Sequence, residues 1–236
     1  MPSNTKLNER QKKILEVVIK EYVNSAQPVS SQLLEKKYDF GLSPATIRNE
    51  MQKLTNKGFL SQPHTSAGRV PADKGYRFFV NNLLEEKSKY PKNIEEWFED
   101  EMGGTFQFIQ SLTKHIAETT GTLALSYLEK ENFFWKEGWE EILRAPEFEE
   151  KGYLLNFTNF LTNLEKHIEE LKTDSDVNVY IGKENPLPKS KDFSVISSHY
   201  HLPNGEKGII SILGPKRMAY DKNISLINSL IKLLEE

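Results

Sequence analysis

The sequence contains no cysteine among its 236 residues. Disulfides, thiolate nucleophiles and cysteine-ligated metal sites are therefore excluded, and the chain suits a reducing compartment. No apolar run approaches the roughly 20 residues that span a bilayer. The opening segment MPSNTKLNER also lacks the apolar core of a signal peptide, so the expected location is cytoplasmic. Equally absent are a phosphate-cradling GxxxxGK followed by Ser or Thr, a dinucleotide-binding GxGxxG, and a serine in a nucleophile-elbow setting. No catalytic constellation is legible, so neither an enzyme activity nor a cofactor is expected. Histidine is scarce. His199 and His201 stand two apart on an expected strand and share a face, but two ligands without a third make a surface pair the expected reading, not a metal site.

What is present is unevenly distributed. The net charge of −3 conceals thirteen basic against seven acidic residues up to Leu84, a balance of +6, and eighteen against twenty-seven beyond it, a balance of −9. A basic first part on an acidic body suits a partner such as a polyanion, because neutralising phosphates releases counterions.

Asn8 followed three residues later by Gln11 has the pattern of a capping box, and Ile14, Leu15, Val18, Ile19 and Tyr22 recur at helical spacing. The first helix is expected from Asn8 to about Asn24. Pro28 breaks the chain, and Ser30 caps a short second helix through Lys37 with Leu33 and Leu34 pointing inward. The third helix is the best specified: Ser43 is an N-cap, Pro44 suits the first helical position, and Gly58 suits the left-handed position past the end. At 100° per residue, Ile47, Met51 and Leu54 fall on one side. Ala45, Arg48, Asn49, Gln52 and Asn56 fall opposite, with Glu50 nearer the packed side.

A solvated surface is the commoner fate of a polar helix face. This one carries a guanidinium fork and two amides, groups able to make bidentate contacts to guanine and adenine edges, and no acid interrupts it. Three short helices with a polar third one have the order of a helix-turn-helix unit. Phe59 and Leu60 then begin a strand, QPHTSAGR forms a loop, and Val70 returns before Pro71 blocks further pairing. Two strands behind a reading helix make a wing. Its tip, with His64, Thr65, Ser66, Gly68 and Arg69, offers short donors, close backbone approach and one cation for phosphate or minor groove. The candidate DNA-binding set is therefore Ser43, Ala45, Thr46, Arg48, Asn49, Gln52 and Lys53 on the helix, with His64, Thr65, Ser66, Gly68 and Arg69 on the wing.

The words LNERQKKILEVVIKEYV, QPVSSQLL, LSPATIRNEMQKLTNKGFL, QPHTSAGRVPADKGYRFFV and, near the end, LGPKRMAY resemble the bacterial heat-inducible transcription repressor HrcA family. The match is nearly continuous over about the first 84 residues. The resemblance implies a winged-helix repressor of chaperone operons, acting as a homodimer on an inverted-repeat operator in double-stranded DNA, with the GroE chaperonin helping to keep it active. It also implies a GAF-like C-terminal domain carrying an inserted dimerisation segment. Here the chain passes from TLALSYL to NFFWKEGWEEILRAPEF with almost nothing between, so the insertion and some sheet strands are expected to be lost.

Asp73 to Leu84 reads as a fourth helix through Tyr76, Phe79, Val80, Leu83 and Leu84, and the charged EEKSKYPKN marks a boundary. Beyond it come a helical pattern from Asn93 to about Thr119 interrupted at Gly103 and Gly104, the strand-like TLALSYL, VNVYIG, FSVISSHYHL and KGIISILG, a short helix within WEEILRAPEF, a helix striped by Leu154, Leu155, Phe160, Leu161, Leu164, Ile168 and Leu171, and a last one striped by Ile224, Ile227, Leu230, Ile231 and Leu234. The expected fold class is α+β: a winged helix-turn-helix over 1–86, then a reduced GAF-like mixed α/β domain for dimerisation or regulation over 92–236. Lys216 and Arg217 are expected to be solvated, and Phe133, Phe134, Trp135 and Trp139 to be core or interface anchors. The alternative function is a winged-helix regulator whose C-terminal domain senses a small molecule, or an enzyme carrying a regulatory winged helix.

Overall fold

The carboxamide oxygen of Asn8 accepts from the Gln11 backbone N–H at 2.9 Å and starts α1, Glu9–Ser25. In this computed structural model, which describes residues 6–85, 104–171, 177–202 and 204–235, the chain divides into two compact units, Met1–Glu86 and Lys87–Glu236. None of the described helices is long and apolar enough to cross a membrane.

In the first unit, α1 buries Ile14, Leu15, Val18 and Ile19. Only half of the expected capping box forms, because the Gln11 side chain turns away from Asn8 to donate to Glu50 at 2.9 Å and accept from Lys57 at 3.1 Å. Ser30 caps α2, Ser31–Lys37. Leu34 is fully buried but Leu33 is 39% exposed, a departure from the expected pair: two neighbours 100° apart on a two-turn helix cannot both face α3. α3 spans Pro44–Asn56, capped by the Ser43 hydroxyl, and packs through Ile47, Met51 and Leu54. Gly58 follows at φ +78°.

A two-rung antiparallel ladder comes next, β1 (Leu60–Ser61) against β2 (Val70–Pro71), with Leu60 opposite Pro71 and Ser61 opposite Val70. Pro71 thus lies in the last rung instead of just beyond the strand, where its missing N–H ends the pairing. Arg69 extends the ladder sideways by exchanging backbone bonds with Val29 at 2.9 and 2.8 Å. α4, Asp73–Glu85, buries Tyr76, Phe79 and Val80, while Leu84 is 43% exposed and falls outside the expected stripe.

The second unit contains α5 (Thr105–Thr120), β3 (Leu123–Leu128), β4 (Phe133–Glu137), α6 (Trp139–Ile142), α7 (Lys151–Lys166), β5 (Asn178–Ile181), β6 (Phe193–His201), β7 (Lys207–Pro215) and α8 (Tyr220–Glu235). The part of the interrupted helical pattern before Gly104, and most of the expected boundary, lie outside the described residues; α5 begins directly after Gly104. One antiparallel sheet runs in the order β4-β3-β7-β6-β5. Leu123, Leu125, Tyr127, Val195, Ile209 and Leu213 pack on one face with Phe157, Phe160 and Leu164 of α7. Hydroxyl bonds mark the other face: Ser126 with Thr113 of α5 at 2.7 Å, and Ser194 with Tyr220 of α8 at 2.8 Å. Helices therefore cover both faces, and the architecture is mixed α+β around an antiparallel sheet.

Candidate nucleic-acid interface

α3 presents Ala45, Arg48, Asn49, Gln52, Lys53 and Asn56 to solvent, opposite its packed side, with Ser43 exposed at its start and Thr46 half-buried. The helix can hold this face rigidly because its other side is anchored twice. Apolar burial anchors it first, and the buried carboxylate of Glu50 does so again, accepting from Gln11 on α1 at 2.9 Å and from Lys53 at 2.9 Å, with Arg10 at 3.9 Å. The Lys53 bond holds the Glu50 carboxyl below the usual carboxylate range although burial opposes it, with Gln11 and Arg10 adding to the same effect.

The candidate residues differ in how far they are committed to the protein itself. The side chains of Arg48 and Asn49 make no hydrogen bond to any described residue. Gln52 is occupied at both ends: its amide donates to Asn56 at 2.9 Å and its carbonyl accepts from Arg69 at 2.7 Å. Lys53 is shared with Glu50, and the Ser43 hydroxyl with the Thr46 backbone at 3.3 Å and hydroxyl at 3.0 Å.

His64, Thr65 and Ser66 are exposed at the tip of the hairpin loop. The loop is closed by Gln62, whose side-chain amide donates to the carbonyls of Thr65 at 2.8 Å and Ala67 at 3.0 Å. Arg69 does not stand at the tip where it was expected. It is only 8% exposed, and its guanidinium donates to Thr55 at 3.0 Å, to Gln52 at 2.7 Å and to the Gly68 carbonyl at 3.4 Å. Burial, and then the charge of Arg48, push its pKa down. Gly68 is required here for packing: a Cβ would stand 2.3 Å from the Val29 carbonyl oxygen. Sequence reasoning missed Gln62 and Val29, whose contacts are to backbone and leave no local signature.

Together α2, α3 and the hairpin loop line an open groove of about 450 Å³, bordered by Ser31, Gln32, Ala45, Arg48, Thr65 and Arg69 among others. Its lining includes two guanidiniums and no acid. Such a groove attracts an anion and offers hydroxyls and amides to it.

Elsewhere the candidate chemistry is already spent. Arg217 forms a bidentate pair with Glu147 at 2.7 and 2.9 Å. Among the described residues no three His, Asp or Glu side chains gather as a metal site, and burial pushes the His199 imidazole down from its usual value. Phe134 and Trp139 pack against the sheet core.

Residues 75–224 match the family model described as the HrcA protein C-terminal domain. The chain belongs to the HrcA family. It is 30% identical to the heat-inducible transcription repressor HrcA of Thermoanaerobacter pseudethanolicus, over 97% of this chain and 96% of the relative, and 26% identical to that of Thermodesulfovibrio yellowstonii, over 98% of each. HrcA proteins are transcription repressors, and repression of transcription, not catalysis, is the function class of this chain. The first alignment spans 332 positions against 236 residues here, so at least 96 positions of HrcA have no counterpart in this shorter chain. A hypothetical protein whose crystal structure was solved at 2.2 Å resolution shares the fold, with a TM-score of 0.80 at 22% identity over 97% of this chain and 98% of that one.

Proposed function

We propose that the protein represses chaperone operons in the cytoplasm by binding an inverted-repeat operator as a homodimer, and that α3 reads the bases. The first unit, over 1–86, acts as a winged helix-turn-helix: α2 and α3 form the helical pair, and β1, β2 and their loop form the wing. The second, over 92–236, acts as a reduced GAF-like domain that pairs subunits. The observation that carries this reading is the state of Arg48 and Asn49. Both side chains are exposed and make no hydrogen bond to a described residue, on the anchored helix of an HrcA protein, beside a groove lined by two guanidiniums and no acid. A guanidinium and a carboxamide held this way match the bidentate edges of guanine and adenine.

Ser43, Ala45 and Thr46 lie where the N-terminal end of α3 enters the groove of the DNA. Lys53, His64, Thr65, Ser66 and Gly68 face phosphate or the minor groove, and Arg69 stands behind them. An inverted repeat needs two related modules, and with one module per chain the second unit supplies the pairing. Since no dedicated ligand pocket is invoked, heat relieves repression by depleting the DNA-competent fold, which the GroE chaperonin restores.

Titration of operator and scrambled duplexes with the purified full chain, at several salt concentrations and before and after mild heating, tests the reading. Preference for the operator, loss on heating and recovery with GroE are expected. Equal affinity for both duplexes overturns it, as does a metabolite that abolishes binding at constant temperature. A monomer by light scattering, with and without operator, overturns the dimer.

A further inference from the structure

We infer that Arg69 is a positioning residue that acts on DNA only through Gln52 and Thr55, bracing the hairpin loop against the reading helix so that loop and helix meet the duplex as one rigid body. The inference rests on the proposal that α3 is the reader. An arginine beside a groove that suits phosphate is ordinarily taken as a phosphate contact. Three facts argue otherwise. The residue is only 8% exposed, its Nε and Nη2 donate to Thr55 and Gln52 of α3, and Nη1 reaches the Gly68 carbonyl.

The brace runs on from there. The Gln52 carbonyl, fixed by Arg69, leaves its amide to donate to Asn56 along the same helix, so Gln52 is a relay and base reading falls to Arg48 and Asn49. On the other side, the Arg69 backbone is bonded in both directions to Val29, and Gly68 lies against Val29 too closely for any side chain. The loop is therefore fixed to α3 by the Arg69 side chain and to the segment before α2 by the Arg69 backbone. A fork that makes directed bonds to two acceptors cannot be replaced by a lysine, which offers a point charge.

Arg69→Lys separates the two roles, with Arg69→Ala, Gln52→Ala, Arg48→Ala and Asn49→Ala beside it, all in the full chain. A brace predicts that Arg69→Lys loses about tenfold in operator affinity although its charge remains, in line with the loss of hydrogen bonds to a charged group. Gln52→Ala loses part of the same affinity, because the Thr55 bond remains, and the double variant Gln52→Ala with Arg69→Lys is no worse than Arg69→Lys alone. The slope of log affinity against log salt stays at the wild-type value in each, and amide exchange over 62–68 speeds up. A phosphate contact predicts instead that Arg69→Lys is near wild type and that Arg69→Ala flattens the slope by about 0.9. Either of those results overturns the brace, as does unchanged amide exchange in the loop. If Arg48→Ala and Asn49→Ala both bind operator like wild type while exchange over 62–68 still accelerates in Arg69→Lys, the reader assignment fails and the brace stands. Circular dichroism excludes global unfolding in Arg69→Lys, and Gln52→Ala, altered on the solvent face, carries the test should Arg69→Ala not fold.

Discussion

α3 and the hairpin that follows it are neighbours in sequence and in space, yet they are built on opposite terms. The helix is specified where it stands: a hydroxyl cap, a proline at its first position, a stripe at 3.6-residue spacing and a glycine after its end lie within Ser43 to Gly58. The hairpin has only two rungs, too few to persist by themselves, and is held from outside by Val29, Gln52 and Thr55. A surface meant to recognise DNA thus combines a part whose shape is local with a part whose shape is borrowed. Substitutions on the exposed face of the helix are expected to separate stability from binding, and those in the hairpin to mix them.

The largest effect is expected beneath the face. Leu54 is fully buried, and Leu54→Ala should destabilise the first unit by about 2–5 kcal/mol. Amide exchange of α3 in the full chain would measure it. Binding to every duplex should fall together, because the reader is lost whole. A Leu54→Ala protein with undiminished protection in α3 would show that the helix does not depend on this packing.

Next comes the face itself. Arg48→Ala and Asn49→Ala should each cost about 1–3 kcal/mol in operator binding and relax preference at one base pair, while thermal unfolding is unchanged because neither touches the core. Operator and scrambled duplex titrations decide it. Wild-type affinity and selectivity in both variants would remove α3 from the role of reader.

The same contrast explains what could be seen in the sequence. α3, its cap and its two faces were legible because every signal for them lies within a few residues. The two-turn α2 was legible as an element but not in orientation, since periodicity alone could not choose between Leu33 and Leu34. Gln11 looked like a capping partner because its spacing from Asn8 is right. Its side chain instead serves Glu50, 39 residues away, a stronger partner that no local pattern announces. Arg69 was legible as a cation near the loop, but its partners lie 14 and 17 residues upstream, so its burial was not. In the second unit four of the five strands could be read from apolar runs, but β4 could not, because its half-buried aromatics in FFWKE read as packing anchors; nor could the order β4-β3-β7-β6-β5, because β3 pairs with a strand near the far end of the chain.

The anchor under α3 gives a pH dependence with a definite sign. The Glu50 carboxyl is held below its usual range by the Lys53 bond, so its contribution is full above the unfolded value of about 4.3 and is lost as the pH falls through the folded value. Glu21, which burial pulls up but bonds from Lys37 and Tyr38 bring below its usual range, acts in the same direction. The first unit should therefore lose stability in acid, below about pH 4. Glu50→Gln should flatten that decline and cost about 1–3 kcal/mol at pH 7. Chemical denaturation across pH 3 to 7 measures both, and an unaltered acid profile in Glu50→Gln would exclude Glu50 as a source.

The smallest effect sits at the start of α3, where the two kinds of specification meet in one side chain. The Ser43 hydroxyl caps the helix by accepting from the Thr46 N–H, and it is exposed at the end proposed to approach DNA. Ser43→Ala should cost about 1 kcal/mol of stability through the lost cap. Ser43→Asp restores an acceptor and adds a charge that the helix N-terminus favours, so it should be as stable as wild type. On DNA the order reverses: the carboxylate faces phosphate, so Ser43→Asp should bind operator and scrambled duplex more weakly at low salt, with the deficit shrinking as screening increases. Ser43→Ala should keep its salt dependence. If Ser43→Asp is stable and binds like wild type at low ionic strength, the N-terminal end of α3 does not lie against the DNA backbone.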